Sequence, residues 1–160
     1  MTPECQPRNW RLDPAKRQLQ MVQKVRESSA EATERLRAAG LRPTRQRVEL
    51  VGLLYAGGHR HMTAESLHAD ATASGVQVSL ATVYNTLHQF TQAGLLREVV
   101  VDAARSYFDT NTGDHQHFFV EEEGMLIDIP GEQIAVAGVP TPPKGLTVDR
   151  IDVVVRVRRG

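Results

Sequence analysis

The sequence predicts an α+β protein, an N-terminal winged helix-turn-helix followed by a small α/β dimerisation domain. Two observations predict it. Apolar residues recur at helical spacing as far as Gly94, and beyond it the pattern changes to short alternating runs between turn residues. A helical half followed by a strand-rich half gives the α+β class. The divisions expected are a partly helical N-terminal extension over 1–28, a winged-helix unit over 29–108 and a strand-rich unit over 109–160.

Each element has its own signal. Residues 1–11 hold two prolines, Asn9 and Trp10, and read as an irregular tail. Pro14 fits a first helical position, and Leu19, Val22 and Val25 follow at helical spacing, so a helix is expected from Asp13. A second helix runs over about 30–39 and stops at Gly40. After Leu41-Arg-Pro, Thr44 can cap a helix whose stripe is Val48, Val51, Leu54 and Tyr55, closed by Gly57-Gly58. Thr63 can cap the next, which contains Leu67 and gives way at Ser74-Gly75. Ser79 can cap the last, over about 80–93, which places Val83, Leu87 and Phe90 on one side.

Beyond Gly94, residues 95–101 and 105–109 read as a hairpin about Asp102-Ala-Ala, and 115–120 with 125–129 as a second strand pair. Val139-Pro-Thr-Pro-Pro-Lys-Gly145 breaks the chain. The run over 147–158 then sets Ile151, Val153, Val155 and Val157 on one face, with Asp152, Arg156 and Arg158 on the other. That strand, whose Ile/Val face needs a cover, is the candidate for a sheet shared between two protomers.

Composition narrows the function classes. A chain of 160 residues builds one sizeable core or two small ones, and 41% hydrophobic with 24% charged residues is ordinary for a globular protein. Nothing approaches the roughly 18-residue apolar run of a membrane span. The N-terminus is rich in Arg, Lys and Pro and lacks a secretory apolar core. A cytoplasmic protein with no membrane partner is expected. The single cysteine, Cys5, excludes a disulfide framework and a four-cysteine zinc ribbon. Net charge is zero, yet residues 1–60 carry 12 Lys/Arg against 6 Asp/Glu, and 61–160 carry 7 against 13. A basic half joined to an acidic half suits nucleic acid on one side and cations on the other.

The helix over 80–93 is the most informative. Opposite its apolar stripe lie Thr82, Asn85, His88, Gln89 and Gln92, with Tyr84 on the flank and no acidic residue. In a winged helix-turn-helix such a helix enters the major groove of double-stranded DNA. Asn and Gln side chains can pair with adenine, and Thr and Tyr meet the thymine methyl. Arg42, Arg45 and Arg47 open an earlier helix and can neutralise phosphates. The DNA-contact candidates are Arg45, Arg47, Ser79, Thr82, Tyr84 and Asn85.

Asp109, His115, His117 and Asp128 then follow as D-x5-H-x-H-x10-D. Two histidines one residue apart on a strand share a face, so His115 and His117 can grip one ion. The two acids, from neighbouring strands, supply the neutralising charge. Imidazole nitrogen with carboxylate oxygen suits Fe, Mn or Zn. The unit over 109–160 thus reads as metal-binding and dimerising, and its pairing with a DNA reader suggests a metal-responsive transcription regulator.

These segments resemble the ferric uptake regulator (Fur) superfamily. The likeness runs through Leu41-Arg-Pro-Thr-Arg-Gln-Arg47, His61-Met-Thr-Ala-Glu65, Val78-Ser-Leu-Ala-Thr-Val-Tyr-Asn-Thr-Leu87, Gly94-Leu-Leu, Tyr107-Phe-Asp109, Asp114-His-Gln-His-Phe118 and Ile127-Asp128. Within it the chain is similar to the iron response regulator (Irr) branch, through Tyr107-Phe-Asp-Thr-Asn111, Asp128-Ile-Pro130 and Arg150-Ile-Asp-Val-Val-Val-Arg156. The resemblance implies a homodimeric regulator of iron homeostasis, mainly a repressor, on AT-rich palindromic operators. It also implies a fifth metal ligand, His61, from the DNA-binding half.

Two departures accompany it. The Cys-x2-Cys pairs of many members correspond to Val120 and Glu123 here, so no cysteine-bound structural zinc is expected. The branch also implies haem, with His115 or His117 as an axial ligand. Its Cys-Pro haem motif is broken here, since Gln6 separates Cys5 from Pro7. Alternatives within the superfamily are a manganese, zinc or peroxide sensor. Outside it, a small His/Asp metalloenzyme could activate water at open metal positions. No general base with its own signature stands near the cluster, so a non-enzymatic regulator is preferred.

Overall fold

Among the described residues, four helices precede the first long strand. The computed structural model describes residues 29–160; Cys5 and the helix expected from Asp13 lie outside them. Helix α1, Ser29–Ala38, buries Ala32 and Leu36 and ends where Gly40 takes a φ of +74°. That left-handed turn lets the Leu41 N–H reach back to the Leu36 carbonyl at 2.9 Å. Helix α2, Arg45–Leu54, is capped by Thr44, whose Oγ1 accepts from the Arg47 N–H at 3.3 Å. It is buried more widely than its expected stripe. Leu50 and Leu53 join Val51 and Leu54 in the core because α2 lies between α1 and the next helix.

Helix α3, Ala64–Ala73, opens with a reciprocal cap in which Thr63 Oγ1 accepts from the Ser66 N–H and Ser66 Oγ from the Thr63 N–H. Helix α4, Leu80–Gln92, is capped by Ser79 Oγ. Val83, Leu87 and Phe90 are fully buried as expected, and Thr86 joins them. The helical core gathers Leu36, Leu50, Leu54, Leu67, Leu87 and Phe90, and takes Phe108 from the strands that follow.

Two three-stranded sheets complete the fold. The first has the order β1-β3-β2, all antiparallel: β1 is His61–Met62, β2 Arg97–Asp102 and β3 Arg105–Asp109. Because α3 and α4 are inserted between β1 and β2, this is the winged helix-turn-helix. The second has the order β5-β4-β6, with β4 His115–Val120, β5 Met125–Pro130 and β6 Val154–Val157. β5 runs antiparallel to β4, and β6 parallel to it. A second core joins the sheets: Val99, Val101 and Tyr107 from the first meet Phe119, Leu126 and Val154 from the second.

Three details differ from the sequence reading. β2 begins at Arg97, two residues late, because the Leu95 N–H closes α4 on the Phe90 carbonyl and the Leu95 carbonyl accepts from the Tyr55 hydroxyl at 2.6 Å. β6 has four residues, where a strand over 147–158 was expected. Its partner β4 starts at His115, and His117 stands opposite Val154, so residues 147–151 run past the end of β4 with no strand beside them. The α+β class holds, but the second unit contributes strands and one 3-10 turn, Gly131–Gln133, with no α-helix after Gln92 among the described residues. Among those residues, no helix is long and apolar enough to cross a membrane.

Candidate metal centre and nucleic-acid face

The candidate ligands arrive as cross-strand pairs. His61 on β1 stands opposite Asp109 on β3, and His117 on β4 opposite Asp128 on β5. Directly opposed residues share a face, and His115, two residues before His117, shares theirs. The facing surfaces of the two sheets therefore bring one ligand atom from each of the five residues within 4.8 Å of one another. His115 Nε2 lies 3.0 Å from His117 Nε2 and 2.7 Å from Asp109 Oδ2. His117 Nε2 lies 3.1 Å from the same oxygen, and His61 Nε2 lies 3.3 Å from it.

Those separations are the edges of a coordination sphere. Bonds of about 2.0–2.2 Å put neighbouring ligand atoms roughly 3 Å apart and opposed ones about 4 Å apart. His61 Nε2 and Asp128 Oδ1 are 2.8 Å apart and buried, yet neither makes a hydrogen bond of acceptable geometry. Both are among the five ligand atoms that converge at the site. Three nitrogens and two carboxylate oxygens, with no thiolate, fit Fe, Mn or Zn.

Backbone groups behind the ligands fix their orientation. The Asn111 N–H donates to Asp109 Oδ1 at 2.8 Å, leaving Oδ2 for the site. His115 Nδ1 lies 2.8 Å from the Gly113 carbonyl, which only accepts. Nδ1 therefore carries the proton and Nε2 presents its lone pair. Arg60 ties the same loop down, since its N–H donates to Thr110 Oγ1 and its carbonyl accepts from the Thr110 N–H. His59 is exposed and lies outside the cluster.

The DNA-contact candidates divide by what they already touch. The Arg45 side chain is 91% exposed and lies 3.2 Å from Glu49. Arg47 spends its guanidinium on the Arg42 carbonyl at 2.9 Å and on Gln89 of α4 at 2.8 Å, which braces α4. Ser79 caps α4 by accepting from the Thr82 N–H, and the two hydroxyls bond at 2.9 Å. Asn85 is exposed on α4. Tyr84, also exposed, donates to Glu65 at 2.5 Å, and that carboxylate is the acidic neighbour the helix pattern did not reveal.

The sequence profile of the ferric uptake regulator family matches residues 38–145, more than half of the chain. This protein belongs to the ferric uptake regulator family. As a Fur-family protein it is a metal-responsive transcription regulator. The peroxide-responsive repressor PerR of Staphylococcus aureus is 30% identical to it over 113 residues, 71% of this chain and 76% of that one. The ferric uptake regulator of Pseudomonas aeruginosa, solved with manganese, is similar at a TM-score of 0.62 and 30% identity, covering 80% of this chain and 97% of that one. The ferric uptake regulator of Vibrio cholerae shares the fold at a TM-score of 0.63 and 23% identity, over 79% and 98%.

The charges of this Fur-family site set a pH dependence. Burial works against a charge on His61, but the nearby carboxylates of Asp109 and Asp128, at 3.3 and 2.8 Å, outweigh it and raise its pKa from 6.5 to about 9. For Asp109, burial pushes upward, and the hydrogen bond from His117 with the charge of His61 pulls it well below the usual carboxylate range. A metal ion must displace the His61 proton. Mn(II) affinity, read by titration, is therefore expected to rise about tenfold per pH unit from 6.5 towards 9, then level off. The metal-free fold moves the other way. A raised histidine pKa stabilises fully below 6.5 and that contribution is lost as pH climbs through 9, so the metal-free Tm falls over this window. A flat affinity profile would remove His61 from the ligand set.

Proposed function

We propose that this chain is a cytoplasmic, homodimeric repressor of iron homeostasis, set by a divalent metal and reading AT-rich palindromic operators. The observation that carries this is the provenance of the ligands. His61 and Asp109 belong to the winged-helix sheet, while His115, His117 and Asp128 belong to the second sheet. An ion held by both fixes the angle between the DNA-reading unit and the unit that pairs with a second copy. It shifts DNA affinity only through its different affinity for the two arrangements. Fe, Mn or Zn fits the donor set, and the manganese in the Pseudomonas aeruginosa relative supports that class.

The dimer partner is a second copy at the outer face of the second sheet. Phe118, Ile127 and Val155 stand side by side there in register, and Met125 lies next to them, all exposed or half-buried. A two-fold axis through such a face buries it against itself and spaces two α4 helices for two half-sites. The boundaries proposed at 28/29 and 108/109 separate these roles, with Asp109, the last residue of β3, as the ligand at the seam. Haem on His115 or His117 would take ligands from the metal, so haem is expected to release DNA. Five converging protein ligands leave a substrate little room, which favours a regulator over a metalloenzyme.

Fluorescence anisotropy on an AT-rich palindrome and on a scrambled duplex tests this reading. Mn(II) is expected to tighten operator binding at least tenfold over chelator, and haem to reverse it. Asn85→Ala is expected to lose about 1–3 kcal/mol on the operator and little on the scrambled duplex. Operator binding equal in chelator, Mn(II) and haem would overturn the reading.

A further inference from the structure

Beside the metal centre lies a buried cation with no ligand role. Arg97 opens β2, just after the recognition helix, and stands opposite Asp109 in the register, as His61 does from the other side. The row His61–Asp109–Arg97 crosses the whole winged-helix sheet. Arg97 is 6% exposed. Its Nη1 donates to the His115 carbonyl at 3.0 Å and to the Gly113 carbonyl at 3.4 Å. Gly113 is the carbonyl that orients the His115 ring. Arg97 Nε donates to Asp152 Oδ1 at 3.1 Å, and Nη2 reaches the same oxygen.

Asp152 leads directly into β6. The Val153 N–H donates to Gln116 Oε1 at 2.6 Å, and the Val153 carbonyl accepts from the His117 N–H at 3.1 Å. One guanidinium thus joins the strand after the recognition helix, the loop that aims a ligand, and the entry to the strand that flanks the outer face. Only a fork of fixed N–H donors meets three such acceptors at once. Asp152 supplies the charge that a guanidinium buried beside a dication requires.

We propose that Arg97, held by Asp152, is a positioning residue that aims His115 at the metal and couples the metal's occupancy to the seating of β6. This rests on the metal-set reading above. The test compares the parent with Asp152→Asn, Arg97→Gln, Arg97→Lys and the double variant Arg97→Gln/Asp152→Asn. Mn(II) affinity and the Mn(II)-induced slowing of amide exchange over Val154–Val157 are measured for each. Arg97→Gln and Asp152→Asn are each expected to lose roughly 10- to 100-fold in Mn(II) affinity, together with the protection of β6. The double variant is expected to be no worse than Arg97→Gln, and Arg97→Lys to recover only part.

A merely structural ion pair would lower the metal-free Tm while leaving Mn(II) affinity and the induced protection at the parent's level; that result overturns the inference. Should Arg97→Gln fail to fold, Asp152→Asn, at the partly exposed end of the pair, decides alone. A parent that binds no Mn(II) would sink the metal-set reading itself, whereas a responsive parent with parent-like variants sinks only the role of Arg97.

Discussion

Replacing His117 with alanine is expected to abolish the Mn(II) response of operator binding. His117 is 1% exposed, and its Nε2 sits within 3.1 Å of both His115 Nε2 and Asp109 Oδ2. It also stands opposite Asp128 in the β4–β5 register, and so touches both halves of the ligand set. Losing a group that merely orients a ligand costs roughly 10- to 100-fold in metal affinity, and losing the ligand itself should cost at least a hundredfold. Helix α4 belongs to the other unit, so DNA affinity in chelator should stay within about threefold of the parent. Anisotropy titrations of both proteins, with and without Mn(II), decide the matter. A variant that still responds to Mn(II) as the parent does would strip the site of its sensing role.

The largest loss of stability is expected from Phe119→Ala. Phe119 is fully buried where the two sheets meet. Tyr107 lies 6.2 Å away by ring centroids, and the guanidinium carbons of Arg105 and Arg156 lie 5.4 and 5.5 Å from the Phe119 centroid. Truncating a buried phenylalanine costs about 3–5 kcal/mol in lost transfer energy and unfilled space. A chain of this size holds only about 5–15 kcal/mol in all. Because Phe119 is two residues from His117 on β4, the same change should weaken Mn(II) binding without removing a ligand. Its neighbour Phe118 is 38% exposed on the outer face, so Phe118→Ala should spare the monomer and weaken dimerisation. Urea unfolding at two protein concentrations separates the effects. A loss under about 1 kcal/mol for Phe119→Ala would contradict the packing described.

Local chemistry made much of this legible in the sequence. Thr44, Thr63 and Ser79 each cap the helix they precede, because a short side-chain oxygen beside free N–H groups is a local signal. The shared face of His115 and His117 followed from strand alternation alone. His61 did not follow from any local pattern. It lies 48 positions before Asp109 on a strand of two residues, too short to show a period, and came only with the family resemblance. The groups that orient the ligands, Asn111 N–H and the Gly113 carbonyl, are backbone atoms whose roles no side chain announces. Arg97 and Asp152 meet across 55 positions, and neither residue type suggests the other. The length of β6 is set by where β4 begins, a tertiary fact absent from its own alternating run.

The span of the ligand set has a consequence for chain topology. His61 and Asp128 lie 67 positions apart, so an ion held between them closes a loop as a covalent cross-link would. A bridge over that length is worth about 4 kcal/mol through the entropy it removes from the unfolded chain. With Val120 and Glu123 where many relatives carry cysteines, such an ion would add its constraint to a fold held by its two apolar cores. Mass action then makes the folded fraction follow metal supply, and turnover of the unfolded chain follows with it. The number of regulator molecules, and not only their grip on DNA, would then become a function of the cell's metal.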